Sequence, residues 1–373
     1  LAAMMFFAMV YRGPSLPGEI RGWFEVFFEI ALSMSLAAII WNYNKWIAMF
    51  LVLVTVSMFY PRYGIMSYMA GRAVFNGCLW YLFVVMFFSV HNLNTLYRML
   101  RIFVYFHVSV ALFQYLEIAG WLSVPVVIGL MANPLELSAL VSFCLPAFLD
   151  LKGRRVLLVV IPVGGIFIAG QSLGFLSLFV GAAFYLWLRY KMYFPGIALI
   201  ILITSLWVFK DLITLFFDHP GNELSVSVTN RLYVWKRAIM TWKQHWIMGS
   251  GIGHWKVVFS KPMLIDGKRW VTTHNEFLQM LFELGIGAAI IFIGYAVDVL
   301  RKMTRQAVIP LTAMVMITVY SAASFPIHIA PTAMVAVTWA AVLQIVTDEV
   351  KNHERDHSVN SRGYPGFCCG VEA

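Results

Sequence analysis

Residues 308–347 read VIPLTAMVMITVYSAASFPIHIAPTAMVAVTWAAVLQIVT, forty positions without one Asp, Glu, Lys or Arg. In lipid a chain must satisfy its own backbone polar groups, and about 20 apolar residues in a helix cross a bilayer. Pro326 and Pro331 bracket a short turn, so the stretch reads as two spans, 308–325 and 331–347. The pattern recurs upstream in charge-poor windows at 23–41, 46–60, 74–91, 102–118, 134–149, 156–170, 172–188, 196–217 and 275–297. Leu1 to Tyr11 is too short to span and reads as the tail of one more helix. The expected fold is therefore an all-α polytopic membrane protein with about 11–12 transmembrane helices.

Composition agrees. Of 373 residues 61% are hydrophobic and 12% charged, against about a quarter charged in an ordinary soluble domain. That excludes a cytosolic enzyme, a disordered chain and a secreted disulfide scaffold. Cys78 and Cys144 fall in apparent spans and Cys368 and Cys369 in the tail, so no disulfide is expected. No internal repeat and no cluster of Cys, His and carboxylates with metal-ligand spacing stands out. The net charge of +9 needs a location.

Lys and Arg in short loops set orientation. With the tail after Val346 cytoplasmic, the inside loops hold Lys45, Arg98, Arg101, Lys152, Arg154, Arg155, Arg189, Lys191, Arg301, Lys302 and Arg305, and the tail adds Lys351, Arg355 and Arg362. The short outside loops hold only Arg12, Arg21, Arg62 and Arg72. The expected organisation is N-terminal helices over 1–217, a large outer loop over 218–273, C-terminal helices over 274–347 and a cytoplasmic tail over 348–373, polar and predicted to be disordered.

The outer loop breaks the charge rule. It carries Arg231, Lys236, Arg237, Lys243, Lys256, Lys261, Lys268 and Arg269 against Asp218, Glu223 and Asp266. A solvated or headgroup-touching loop accounts for this; so does a site for an anionic ligand. Within it Leu232, Trp235, Ile239, Trp242 and Trp246 recur at helical spacing, which reads as an amphipathic helix in the membrane interface, with Thr229 or Asn230 as N-cap. Arg231 would then sit in the first turn, able to hold a phosphate with the free backbone N–H groups or simply to snorkel. Gly249-Ser250-Gly251-Ile252-Gly253 forms a turn that permits close backbone approach. The chain re-enters the membrane at Thr272-Thr273-His274-Asn275-Glu276. His274 could accept a proton from a hydroxyl or merely cap a helix. Glu283, deeper, must be paired, either as a structural partner for a buried Arg or as part of the site. His328, in the short outer turn between Pro326 and Pro331, could face the same cavity as His274, but reads better as a solvated interfacial histidine.

Taken in order, Asn230-Arg231, Trp235, Ala238, then Gly249, Gly251 and Gly253, a variable gap, His274-Asn275 and Glu283-Leu284-Gly285 resemble the signature of the O-antigen ligase and O-antigen polymerase superfamily. Asn133-Pro134-Leu135-Glu136 and Gln171-Ser172-Leu173-Gly174 are similar to two upstream elements, so the resemblance spans about residues 129–300. It implies a GT-C-like fold and a metal-independent, inverting glycosyltransferase of the bacterial inner membrane that takes glycan from undecaprenyl pyrophosphate on the periplasmic side, with no cofactor. By resemblance His274 is the catalytic base and Arg231 binds the donor pyrophosphate. Asn275, Glu283, Gly251 and Gly253 support them. Families of this kind often carry Arg where Leu173 stands here; either another cation, such as Lys210, Lys236 or Arg72, substitutes for it, or the donor contact rests mainly on Arg231.

The resemblance implies a lipid-linked glycan donor, an acceptor on a lipid A core or a second glycan, and membrane lipids as partners, with no nucleic acid. A polymerase, a ligase and a protein O-oligosaccharyltransferase share that donor chemistry. A transporter or lipid flippase is the competing class, but such proteins show related halves and charged residues near the midplane. Here ionisable residues gather at the outer surface.

Overall fold

The computed structural model describes residues 18–58, 64–116, 129–131, 133–191, 223–255, 264–265, 268–269 and 272–362. Their helices are α1 (Gly18–Trp41), α2 (Lys45–Ser57), α3 (Gly64–Phe87), α4 (Leu93–Leu116), α5 (Pro134–Cys144), α6 (Val160–Ala169), α7 (Ser172–Tyr190), α8 (Glu223–Trp242), α9 (Glu276–Leu284), α10 (Ile286–Arg301), α11 (Val308–Ser321) and α12 (Ala330–Arg362). Short 3-10 turns continue α5 and lead into α6. The only extended pairing described is a two-residue antiparallel ribbon, Leu264–Ile265 with Lys268–Arg269, which the sequence did not announce. Four stretches, Met69–Phe87, Val90–Leu116, Leu173–Tyr190 and Ala330–His353, are long and apolar enough to cross a membrane, and shorter apolar helices pack among them. The fold is a polytopic all-α membrane bundle. The expected span at 196–217 and the helix tail at 1–11 lie outside the described residues.

Two of the helices start at an asparagine cap that the sequence supplies upstream of the site. Asn44 accepts from the N–H groups of Trp46 and Ile47 at 3.1 and 3.2 Å to open α2. Asn133 accepts from Glu136 N–H at 2.9 Å, with Pro134 in the first helical position, to open α5. The core gathers Ile40, Tyr81, Val104, Leu140, Phe143, Tyr320 and Trp339 from six helices. Polar groups inside it find partners: Trp339 Nε1 donates to Phe143 O at 2.7 Å, and Trp80 Nε1 to Thr338 Oγ1 at 2.8 Å. In an apolar solvent such bonds fix helix register where hydrophobicity cannot.

The bundle has two distinct polar ends. At one, Arg101 pairs with Asp150 at 3.5 Å, and Lys302 bonds Asp298 at 2.9 Å and Gln344 at 2.8 Å. At the other, Tyr320 Oη donates to Leu135 O at 2.7 Å, joining the end of α11 to the start of α5. Arg101 and Lys302 are among the cations that the charge bias assigns to the inside.

Three local expectations are corrected. The predicted span 275–297 is two helices, because Gly285 (φ +68°) breaks it and Ile286 N–H donates out to Trp246 O at 2.8 Å. The tail is not disordered from residue 348: α12 continues to Arg362, about 50 Å of helix at 1.5 Å per residue. Helix extension from a packed nucleus costs little, and no Gly or Pro intervenes before Gly363. Finally, α8 begins at Glu223, so Thr229 and Asn230 lie inside it and are not caps. The helix breakers Pro220 and Gly221 precede Glu223, and no other occurs before Gly249, so nothing stops the helix from starting early.

Candidate active site at the mouth of the bundle

Helix α9 buries a polar face. Glu276, Gln279 and Glu283 recur at spacings of three and four and are at most 2% exposed. Burial at this level demands partners, and each is found. Glu276 Oε1 accepts the N–H groups of Ile327 at 2.6 Å and His328 at 3.2 Å, while Oε2 lies 2.7 Å from His328 Nδ1. Gln279 Oε1 accepts Thr273 N–H at 3.2 Å, and its Nε2 reaches Glu283 Oε1 at 3.3 Å and His328 Nε2 at 2.9 Å. Glu283 Oε2 accepts Gly253 N–H at 3.0 Å. Glu283 thus holds the glycine turn, and among the described residues it makes no ion pair with an arginine. His328 keeps the solvent exposure expected of a turn residue and is also one side of a carboxylate pair, because the turn folds back over α9.

Helix α8 lies on α9 through Val234 and Ala238, which pack with Trp255 and Phe282. This docking delivers Arg231 to the mouth. Its Nη1 donates to Ala323 O at 3.3 Å, while Nε is buried and has no hydrogen-bond partner among the described residues. Burial holds the guanidinium below its ordinary pKa, opposed by nearby Tyr320. Arg231 is not at a helix N-terminus, so backbone N–H groups do not assist it there.

His274 occupies the irregular segment between the outer loop and α9. Its φ is +53°, a left-handed backbone that costs a non-glycine residue about 1–2 kcal/mol. Neighbours impose it. Thr273 O accepts from Trp235 Nε1 at 2.8 Å, and Thr273 Oγ1 donates to Asn275 O at 2.6 Å. Asn275 caps α9 through Leu278 N–H at 2.9 Å and donates to Ala322 O at 2.9 Å. The imidazole stands edge-on to Phe325, centroids 4.8 Å apart. Burial first and the Arg231 charge second push its pKa down to about 4, so it is neutral at physiological pH.

The glycine turn closes the floor. Gly249, Gly251 and Gly253 all have positive φ, and Ser250 and Gly251 N–H donate to Phe282 and Glu283 carbonyls at 2.9 Å. A Cβ on Gly249 would strike the Glu283 carbonyl, and one on Gly285 the Ile247 carbonyl. Gly249→Ala is therefore expected to destabilise the protein by about 2 kcal/mol or more, read as a lower thermal midpoint in detergent.

Of the residues predicted from sequence, Arg231, His274, Asn275, Glu283, Gly251 and Gly253 meet around α9. Lys236 does not join them; five positions after Arg231 places it about 140° round the helix, on an exposed face with Tyr233, Met240 and Lys243. Lys210 lies outside the described residues, and Arg72 is exposed on α3. Leu173 packs against the main core, which suits an apolar residue at that position. Trp235, expected in a lipid-facing stripe, turns inward to Thr273. Gln279 and the pairing role of Glu276 escaped sequence reading, although three polar residues on one face of an apolar helix were a visible signal; His328 was singled out, but not as the partner of Glu276. Among the described residues no three His, Cys, Asp or Glu stand close enough to hold a metal ion.

No curated protein matches the chain. Residues 157–293 match the family model described as O-antigen ligase, a stretch that holds Arg231, the glycine turn, His274 and the whole of α9. That match, on a bundle of membrane helices, supports a membrane enzyme of the glycan-transfer type.

Proposed function

We propose that this chain is a glycosyltransferase of the bacterial inner membrane, moving a glycan from undecaprenyl pyrophosphate to an acceptor hydroxyl on the periplasmic side. The observation that carries the reading is the convergence of Arg231 and the His274 segment, both inside the matched stretch, on one turn, Arg231 donating to Ala323 O and Asn275, next to His274, to Ala322 O. The donor is an anchored lipid whose diphosphate lies at the membrane surface, where Arg231 neutralises the charge that develops as it leaves. The acceptor oxygen attacks the anomeric carbon as the bond to the diphosphate oxygen breaks. The bonding pair goes to the diphosphate, the acceptor proton goes to His274, and direct displacement inverts the carbon. No step needs a metal. The apolar sides of the bundle accommodate the polyprenyl chain, and the C-terminus is cytoplasmic.

Purified protein given a glycan-loaded undecaprenyl pyrophosphate tests this. Undecaprenyl pyrophosphate is expected only when acceptor is added. No release with any of a lipid A core, a glycan or a protein acceptor, under conditions where donor binds, would overturn the reading, as would intact donor moving between leaflets. Which acceptor works separates a ligase, a polymerase and a protein transferase.

A further inference from the structure

The polar face of α9 does more than satisfy itself. Gln279 has one side-chain oxygen and two amide hydrogens, and its surroundings use all three in one orientation. Thr273 N–H needs an acceptor, so Oε1 faces it; Nε2 then points its hydrogens at Glu283 Oε1 and at His328 Nε2. His328 Nε2 must accept, so the imidazole proton sits on Nδ1, 2.7 Å from Glu276 Oε2. This protonation is assigned from the network around Gln279. Glu276 in turn is fixed by two backbone N–H groups of the turn it holds.

The chain of contacts ends one residue before the strained histidine. Thr273 is gripped on its N–H by Gln279 and on its carbonyl by Trp235. A left-handed histidine persists only where the chain around it is held; Trp235 and Thr273 Oγ1 hold the two peptides that flank it, and Gln279 holds Thr273 itself from the other side.

We propose that Gln279, set in orientation by the Glu276–His328 pair, is a positioning residue that holds the Thr272–Thr273 peptide, anchors Thr273 on the side away from His274, and so aims the His274 imidazole at the acceptor. This rests on the reading of His274 as the base. Gln279 touches no reacting atom; its effect is on geometry, and a misplacement of about 1 Å can cost about 100-fold in rate.

The test uses the full chain in detergent or vesicles, with glycan-loaded undecaprenyl pyrophosphate and acceptor. Gln279→Met keeps the volume and removes the three bonds; kcat is expected to fall about 30- to 100-fold while the donor KM stays within about twofold. Gln279→Glu keeps the oxygen that takes Thr273 N–H and is expected to recover at least about a third of the wild-type rate. His328→Asn keeps a donor towards Glu276 but loses the Nε2 acceptor, and is expected to cost about five- to tenfold, which gives a second measure should Gln279→Met fail to insert. Thermal midpoints are measured alongside. Unchanged kcat in Gln279→Met, or equal losses in Gln279→Met and Gln279→Glu, overturns the proposal. Full activity in His274→Ala would instead overturn the base assignment, and the two failures are separable.

Discussion

His274→Ala is expected to lower glycan transfer about 10²- to 10⁴-fold, the range for a lost general base, with donor binding little changed. The side chain packs at the edge of Phe325 and is not a core element, so the thermal midpoint should move little. The pH dependence gives a second reading of the same group. With its pKa pushed down to about 4, His274 stays neutral across the physiological range, and kcat/KM should fall only as pH drops through about 4. Arg231 is the lesser of the two causes, so Arg231→Gln should move that acid limb to higher pH. The linkage to stability has the same sign. The unfolded histidine takes up its proton near 6.5 and the folded one about 4, so stability is lost as pH falls between those values. A transfer rate unaffected by His274→Ala would remove the proposed mechanism altogether.

Arg231→Ala is expected to cost about 10²- to 10³-fold in kcat, comparable with losing one preorganised donor to a developing anion, together with a raised donor KM. Arg231→Lys should recover only part of this. Lysine keeps the charge but not the fork that grips phosphate oxygens in two places, and its shorter reach competes with the bond now made to Ala323 O. Radiolabelled or fluorescent donor, measured for binding and turnover on the same sample, separates the two effects. Equal activity of wild type and Arg231→Ala would leave the diphosphate to the cations at Lys210 or elsewhere in the outer loop.

Much of this site was legible before any fold was known. Arg231, the three glycines, His274, Asn275 and Glu283 carry their own chemistry and order, and the matched stretch contains all of them. Their jobs were less legible. Glu283 could be recognised as needing a partner, but the partner is a backbone N–H in a turn thirty residues away, which no periodicity encodes. The N-cap assigned to Thr229 or Asn230 failed because capping preference only operates where the preceding chain leaves the helix, and here it does not. Lys236 looked like a pyrophosphate ligand by charge alone, whereas the helical rotation that carries Arg231 inward carries Lys236 outward.

Local chemistry was thus sufficient for the membrane class, the helical architecture and the stretch of chain that matches the O-antigen ligase family model, because hydropathy and charge act over a few residues and need no partner. The break at Gly285, the turning of Trp235 and Arg231 toward His274, and the Glu276–His328–Gln279 chain depend on which segments pack together. Each comes from contacts between residues distant in sequence, in a mouth where buried polar groups must be satisfied by whatever the fold brings near.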